Sequence, residues 1–165
     1  MAQVDYFLKI DGIDGESKDS QFAKNLELQS WSWGQTNSGG FGVAGTTGGG
    51  AGKVSMQDFH FVASMSDATA PLMQACAGGT HIPTVELSCR KAGDTPQVFL
   101  KIKLTDVLVS SYQTGGSAHG DIVPTDQVSL NFAKIETQYG AQDEKGKVAS
   151  LGKKFGYDLK ANKKV

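Results

Sequence analysis

The chain has 165 residues, 39% of them hydrophobic and 20% charged, with 16 Lys and Arg against 17 Asp and Glu for a net charge of −1. That composition excludes a disordered chain, and the charge balance lacks the basic excess that marks nucleic-acid binders. Glycine is in excess at 21 residues, roughly twice the usual share, but no G-X-Y period is present, so collagen is excluded.

The dominant period along the chain is two, the signature of strands. Val4, Tyr6, Leu8 and Ile10 alternate with Asp5, Phe7 and Lys9, an apolar residue falling even on the second face. The stretch 24–34 places Leu26 and Leu28 on one side and Trp31 and Trp33 on the other, with Ser32 pointing away from the two indoles. A strand is expected over 54–63, then Val85, Leu87 and Cys89, then Val98, Leu100, Ile102 and Leu104. The alternation slips near Asp106 and resumes at Val107 and Val109. A second slip separates Val128, Leu130 and Phe132 from Ile135, Thr137 and Tyr139. Such slips mark a bulge or bend in long strands, as a curling sheet or barrel requires. A last strand is expected over 155–159. One helix is expected, capped by Thr69, with Pro71 in its first turn and Gly78 and Gly79 at its end. The expected architecture is mainly β: one domain over 1–165, a compact barrel or sandwich of two sheets with one short helix and a long Gly-rich loop.

That loop, 34–52, has nine glycines in 19 residues, yet also carries Phe41 and Val43. It reads either as a solvated linker or as a protruding segment that orders against another protein surface. The Lys-rich end (Lys153, Lys154, Lys160, Lys163, Lys164) reads as solvated. The N-terminus has no basic region followed by an apolar run, so no signal peptide is read there, and no stretch approaches the ~20 apolar residues of a membrane span. Cys76 and Cys89 sit on apolar-patterned segments and read as free thiols.

Catalytic and ligand motifs fail on context. Gly40, Gly42 and Gly45 spell G-x-G-x-x-G, but Thr46, Thr47 and Gly48 to Gly50 cannot open the helix that a pyrophosphate needs. Gly52-Lys53 resembles the end of a phosphate-binding loop, but Thr47 and Val54 stand where Gly and Ser or Thr are required. Ser117, His119 and Asp121 are alternate residues of one loop, which no scaffold holds as a relay. His60, His81 and His119 lack metal-ligand spacing, and Asp11, Asp14, Glu16 and Asp19 lack the EF-hand pattern and read as a solvated turn. No enzyme, cofactor or metal is expected. Two Trp on one strand require cover, either from the chain's own core or from another subunit.

The sequence resembles the haemolysin-coregulated protein (Hcp) family of bacterial type VI secretion. The resemblance is carried, in order, by Tyr6-Phe7-Leu8-Lys9-Ile10, Gly15-Glu16-Ser17, Trp31-Ser32-Trp33-Gly34, Gly52-Lys53-Val54 and Gln57-Asp58-Phe59. It continues through Pro71-Leu72-Met73-Gln74-Ala75-Cys76, Arg90-Lys91-Ala92-Gly93, Val107-Leu108-Val109-Ser110-Ser111, Ser129-Leu130-Asn131-Phe132 and Gly156-Tyr157-Asp158. The resemblance implies a structural subunit that forms hexameric rings, which stack into a tube inside a contractile sheath behind a trimeric spike protein. It implies a protein that is cytoplasmic before firing and then secreted without a signal peptide, and a ring lumen that binds and chaperones small effector proteins. No nucleic acid and no membrane insertion are implied. Ser32 and Ser117 are then expected to face the lumen, and Gly40, Phe41, Val43, Trp31 and Trp33 to form ring–ring or subunit contacts. The alternative is a small-oligomer β-barrel module that binds a ligand or peptide.

Overall fold

The computed structural model describes residues 4–39, 53–93, 95–120 and 123–165. The strands are β1 (Val4–Ile10), β2 (Leu26–Ser32), β3 (Gln35–Asn37), β4 (Val54–Met56) and β5 (Phe59–Ser64), followed by helix α1 (Thr69–Gly78). β6 (Ile82–Lys91), β7 (Gln97–Gly115), β8 (Thr125–Tyr139), β9 (Lys153–Asp158) and β10 (Lys163–Lys164) complete the chain. Every strand pairing is antiparallel. The main sheet runs β10-β9-β8-β5-β2-β1-β6-β7, and β7 pairs again with β8. Six strands therefore close into a barrel, with β9 and β10 extending from the far half of β8. Closure leaves the six barrel strands without the free edges that would invite aggregation, and the short β10 is the edge of the extension.

Alternation puts one apolar face of each strand inside. Leu8, Ile10, Leu26, Leu28, Phe59, Phe61, Val85, Leu87, Ile102, Leu104, Val128, Leu130 and Ile135 belong to one continuous core. Leu72 and Ala75 join it from α1.

The expected slip in the two long strands takes a specific form. β7 keeps one register against β8 from Leu100↔Tyr139 to Val109↔Leu130, across Asp106. It also keeps register there against β6. Asp106 instead adopts a left-handed φ of 54°, and the buried side chains change phase on both strands together, from Leu104 to Val107 and from Ile135 to Phe132. Asp106 is thus a matched bend, not a bulge. The true bulge of β7 against β8 lies between Val109 and Ser111.

Several expectations are corrected. Trp31 shares the inner face with Leu26 and Leu28, because the β2–β5 register shifts between Leu28 and Ser30 and one extra residue reverses side-chain parity. The single strand expected over 54–63 is two, since Gln57 and Asp58 break it and β4 pairs with β3 instead. The 34–52 loop is therefore structured at its start, through Gln35–Asn37. Thr69 does not cap α1: the N-cap is Ala68, without a side-chain cap bond. Thr69 Oγ1 instead accepts from Ser66 N–H at 3.0 Å and donates to Asp126 at 2.6 Å. The helix does end at Gly78, with Gly79 in the left-handed region at φ 60°, where a residue without Cβ carries no strain.

Candidate functional site

The outward faces of the barrel carry two contrasting rows, each crossing four strands. In the first, Ser32 of β2 is opposite His60 of β5, His60 opposite Ser129 of β8, and Ser129 opposite Ser111 of β7. His60 Nδ1 and Ser129 Oγ lie 3.1 Å apart. Asp58, immediately before β5, is engaged, accepting from Ser110 Oγ at 2.6 Å and from Asn131 Nδ2 at 3.0 Å. Those neutral donors leave its charge in place, so this wall offers hydroxyls, an imidazole and a single carboxylate at its margin, not a field of alternating charge.

In the second row, Lys9 of β1 is opposite Glu86 of β6, Glu86 opposite Lys103 of β7, and Lys103 opposite Glu136 of β8. Opposite charges alternate across four strands, the arrangement that stabilises cross-strand pairs. Lys101 adds a diagonal ion pair to Glu86 at 3.8 Å, and Lys134 pairs along β8 with Glu136 at 3.7 Å.

Beside the charged wall, the 14–25 segment folds over β1 and β6 and is fixed by one cation. Arg90 is 8% exposed and holds Asp19 in two parallel bonds, Nη1 to Oδ1 at 3.1 Å and Nη2 to Oδ2 at 2.6 Å. It also donates to Asp5 at 3.3 Å and lies against the stacked rings of Phe7 and Phe22, 4.9 and 5.5 Å from their centres. The Arg90 hydrogen bonds, with the backbone N–H groups of Gln21 and Phe22, lower the Asp19 pKa from 3.8 to about 2. The early acidic loop is thus not wholly a solvated turn: half-buried Asp19 is the anchor of an ion pair with buried Arg90. The segment closes because Gly15 packs on the backbone of Asn25, where a Cβ would approach the carbonyl oxygen to 2.5 Å.

A further buried polar group sits between helix and barrel. Asp126 is 1% exposed and accepts from Thr69 Oγ1 and Tyr112 O–H. Burial first, and then the Asp126 carboxylate, push the Tyr112 phenol above its ordinary pKa. Both cysteines are free, and burial pushes the Cys89 thiol up to about 12.

The residues singled out in the sequence fall in different places. Ser32 is exposed and lies in the neutral row. Ser117 is exposed in the β7–β8 connection, its Oγ accepting from His119 N–H at 3.3 Å. The two serines are not brought to one register position, since the row ends at Ser111 and β7 continues to Gly115. Trp31 stacks on Phe59 at 5.9 Å and meets Tyr6 edge-on at 6.3 Å. Trp31 and Trp33 are both half-buried against the chain's own core. Gly40, Phe41 and Val43 lie outside the described residues. His60, Ser129 and Arg90 were not singled out as site residues. Among the described residues no group of three or more His, Cys, Asp or Glu could hold a metal, and no helix is long and apolar enough to cross a membrane.

Residues 7–139 match the family model described as "Type VI secretion system effector, Hcp". The chain belongs to the Hcp family. Protein hcp1 of Pseudomonas aeruginosa is 42% identical over 96% of this chain and 97% of its own. Hcp1 from Salmonella typhimurium is 34% identical with a TM-score of 0.78, covering all of both chains. A structure described as a type six secretion system protein is 31% identical with a TM-score of 0.92, covering 99% of this chain and 100% of the other. The mainly β barrel with one helix is the fold of these Hcp structures. This Hcp chain is a secreted tube protein of the type VI secretion system.

Proposed function

We propose that this Hcp chain forms hexameric rings that stack into the inner tube of the secretion apparatus, and that the neutral wall faces the ring lumen and holds effector proteins before export. The reading is supported by family membership across residues 7–139 together with the contrast between the two walls. A lining with strong charge would retain cargo of opposite sign and repel cargo of like sign. The Ser32–His60–Ser129–Ser111 row presents hydrogen-bonding groups without that bias. Ser117 would border the same lumen from the β7–β8 connection.

Ring–ring contacts would come from the 34–52 segment, with Phe41 or Val43 seated on the neighbouring ring, and the exposed edges of Trp31 and Trp33 would contribute to a subunit contact. The sheath and the trimeric spike would be the partners of the assembled tube.

The deciding measurement is native mass by light scattering with images of the same peak. A mass near six times the 17.4 kDa chain, with annular particles, is expected. A monomer with no rings at high concentration would overturn the reading and favour a barrel module binding a ligand or peptide. Ser32→Trp should keep rings and release a co-expressed effector to protease; unchanged protection would remove Ser32 from the lumen. Deleting residues 40–49 should leave rings and impair tubes.

A further inference from the structure

Resting on the reading of the neutral wall as cargo-facing, we propose that His60, backed by Ser129, is an adaptable cargo contact on it that takes uncharged polar groups of either hydrogen-bonding polarity. The basis is the pairing of an imidazole with a hydroxyl. His60 Nδ1 and Ser129 Oγ are 3.1 Å apart, and a hydroxyl both donates and accepts. Two arrangements satisfy that contact equally. With Ser129 O–H donating to Nδ1, the ring proton sits on Nε2, which is then a donor. With Nδ1–H donating to Ser129 Oγ, Nε2 is bare and accepts.

Among the described residues Nε2 has no hydrogen-bond partner, so its role is free to follow whatever docks there. The neighbours do not fix the choice. Ser32 lies opposite on β2 and is itself a hydroxyl. Asp58, two residues before His60 and just outside β5, already accepts from Ser110 and Asn131. His60 is half-buried, so the Nδ1 contact is sheltered while the wall remains open. A contact of this kind meets a cargo carbonyl or a cargo N–H without a net charge, and the wall need not be rebuilt for cargo of different surface chemistry.

The test is ring-nitrogen NMR on the full ¹⁵N-labelled chain, with His60 assigned by loss of its signals in His60→Gln. Two probes separate the arrangements. N,N-dimethylacetamide offers an acceptor and no donor, and indole offers an N–H donor and no acceptor. The expected result is opposite movement: dimethylacetamide drives the Nδ1 and Nε2 shifts toward the Nε2–H tautomer, and indole toward the Nδ1–H tautomer. In Ser129→Ala the indole response should fall by more than half, because the Nδ1–H that must accompany it loses its acceptor. Shifts that move the same way with both probes, or with neither, overturn the proposal. If that happens while Ser32→Trp still exposes the effector, the cargo-facing reading stands and only the role of His60 falls. If the probes respond but Ser32→Trp leaves the effector protected, the wall does not face cargo, and the assignment of His60 to cargo recognition falls with it.

Discussion

The neutral and the charged walls share β7 and β8, yet they use their outward positions differently. On the charged wall, Lys9, Glu86, Lys103 and Glu136 alternate in sign strand by strand, Glu86 and Glu136 pair with Lys101 and Lys134, and Arg90 ties the 14–25 segment down beside them. Its outward residues are spent on holding the barrel and its covering segment together. On the neutral wall, Ser32, His60, Ser129 and Ser111 make few contacts beyond their own row. Stability there comes from the inward residues Phe59, Phe61, Val128 and Leu130, which leaves the outer surface available for recognition.

If that division of labour is right, the largest loss should follow Arg90→Met. It leaves the Asp19 and Asp5 carboxylates without their cation, and the expected cost is about 3 kcal/mol, in the range for breaking a shielded pair. Chemical denaturation measures it, and a cost no larger than that of Ser32→Asp would erase the distinction. Asp126→Ala tests the core between the walls. It leaves Thr69 and Tyr112 hydroxyls without their acceptor, at about 2 kcal/mol.

The Asp19 pair also sets an acid limit. With a folded pKa of about 2 against an ordinary 3.8, its contribution is full above pH 3.8 and is lost as pH falls from there through about 2. Acid titration of wild type against Asp19→Asn should show that slope only in wild type. Lys103→Glu sets three carboxylates in a row and should cost about 1 kcal/mol, read as a melting shift of about 2–4 °C that shrinks with added salt. Ser32→Asp should come last, within about 0.5 kcal/mol of wild type. A larger destabilisation would mean that the neutral wall also carries structural load.

Period-two alternation located most of the barrel strands, and the paired phase slips near Asp106 and Phe132 announced a bent barrel. The bulge after Leu28 was not legible, because Trp31 and Trp33 at odd spacing from Leu28 fit an uninterrupted strand equally well. Only pairing with β5 shows the inserted residue. Arg90 alternates with Cys89 like any solvated strand residue, and Asp19 lies 71 positions away. Nothing local joins them, and the Phe7–Phe22 stack that Arg90 lies against is equally absent from any local pattern. His60 was visible as a scattered histidine, but its value depends on Ser129, which β5–β8 pairing alone supplies. Ser32 and its small polar character were legible; its neighbours were not.

β7 runs 19 residues and β8 runs 15, and both pass through the two walls without a break in their mutual register at Asp106. A load applied to one wall therefore travels to the other along covalent backbone, and the hydrogen bonds between β7 and β8 are strained in shear, all together, rather than peeled one at a time. The barrel should behave under axial force as a stiff element whose two walls move as one, with the peripheral β9–β10 pair the first part to yield.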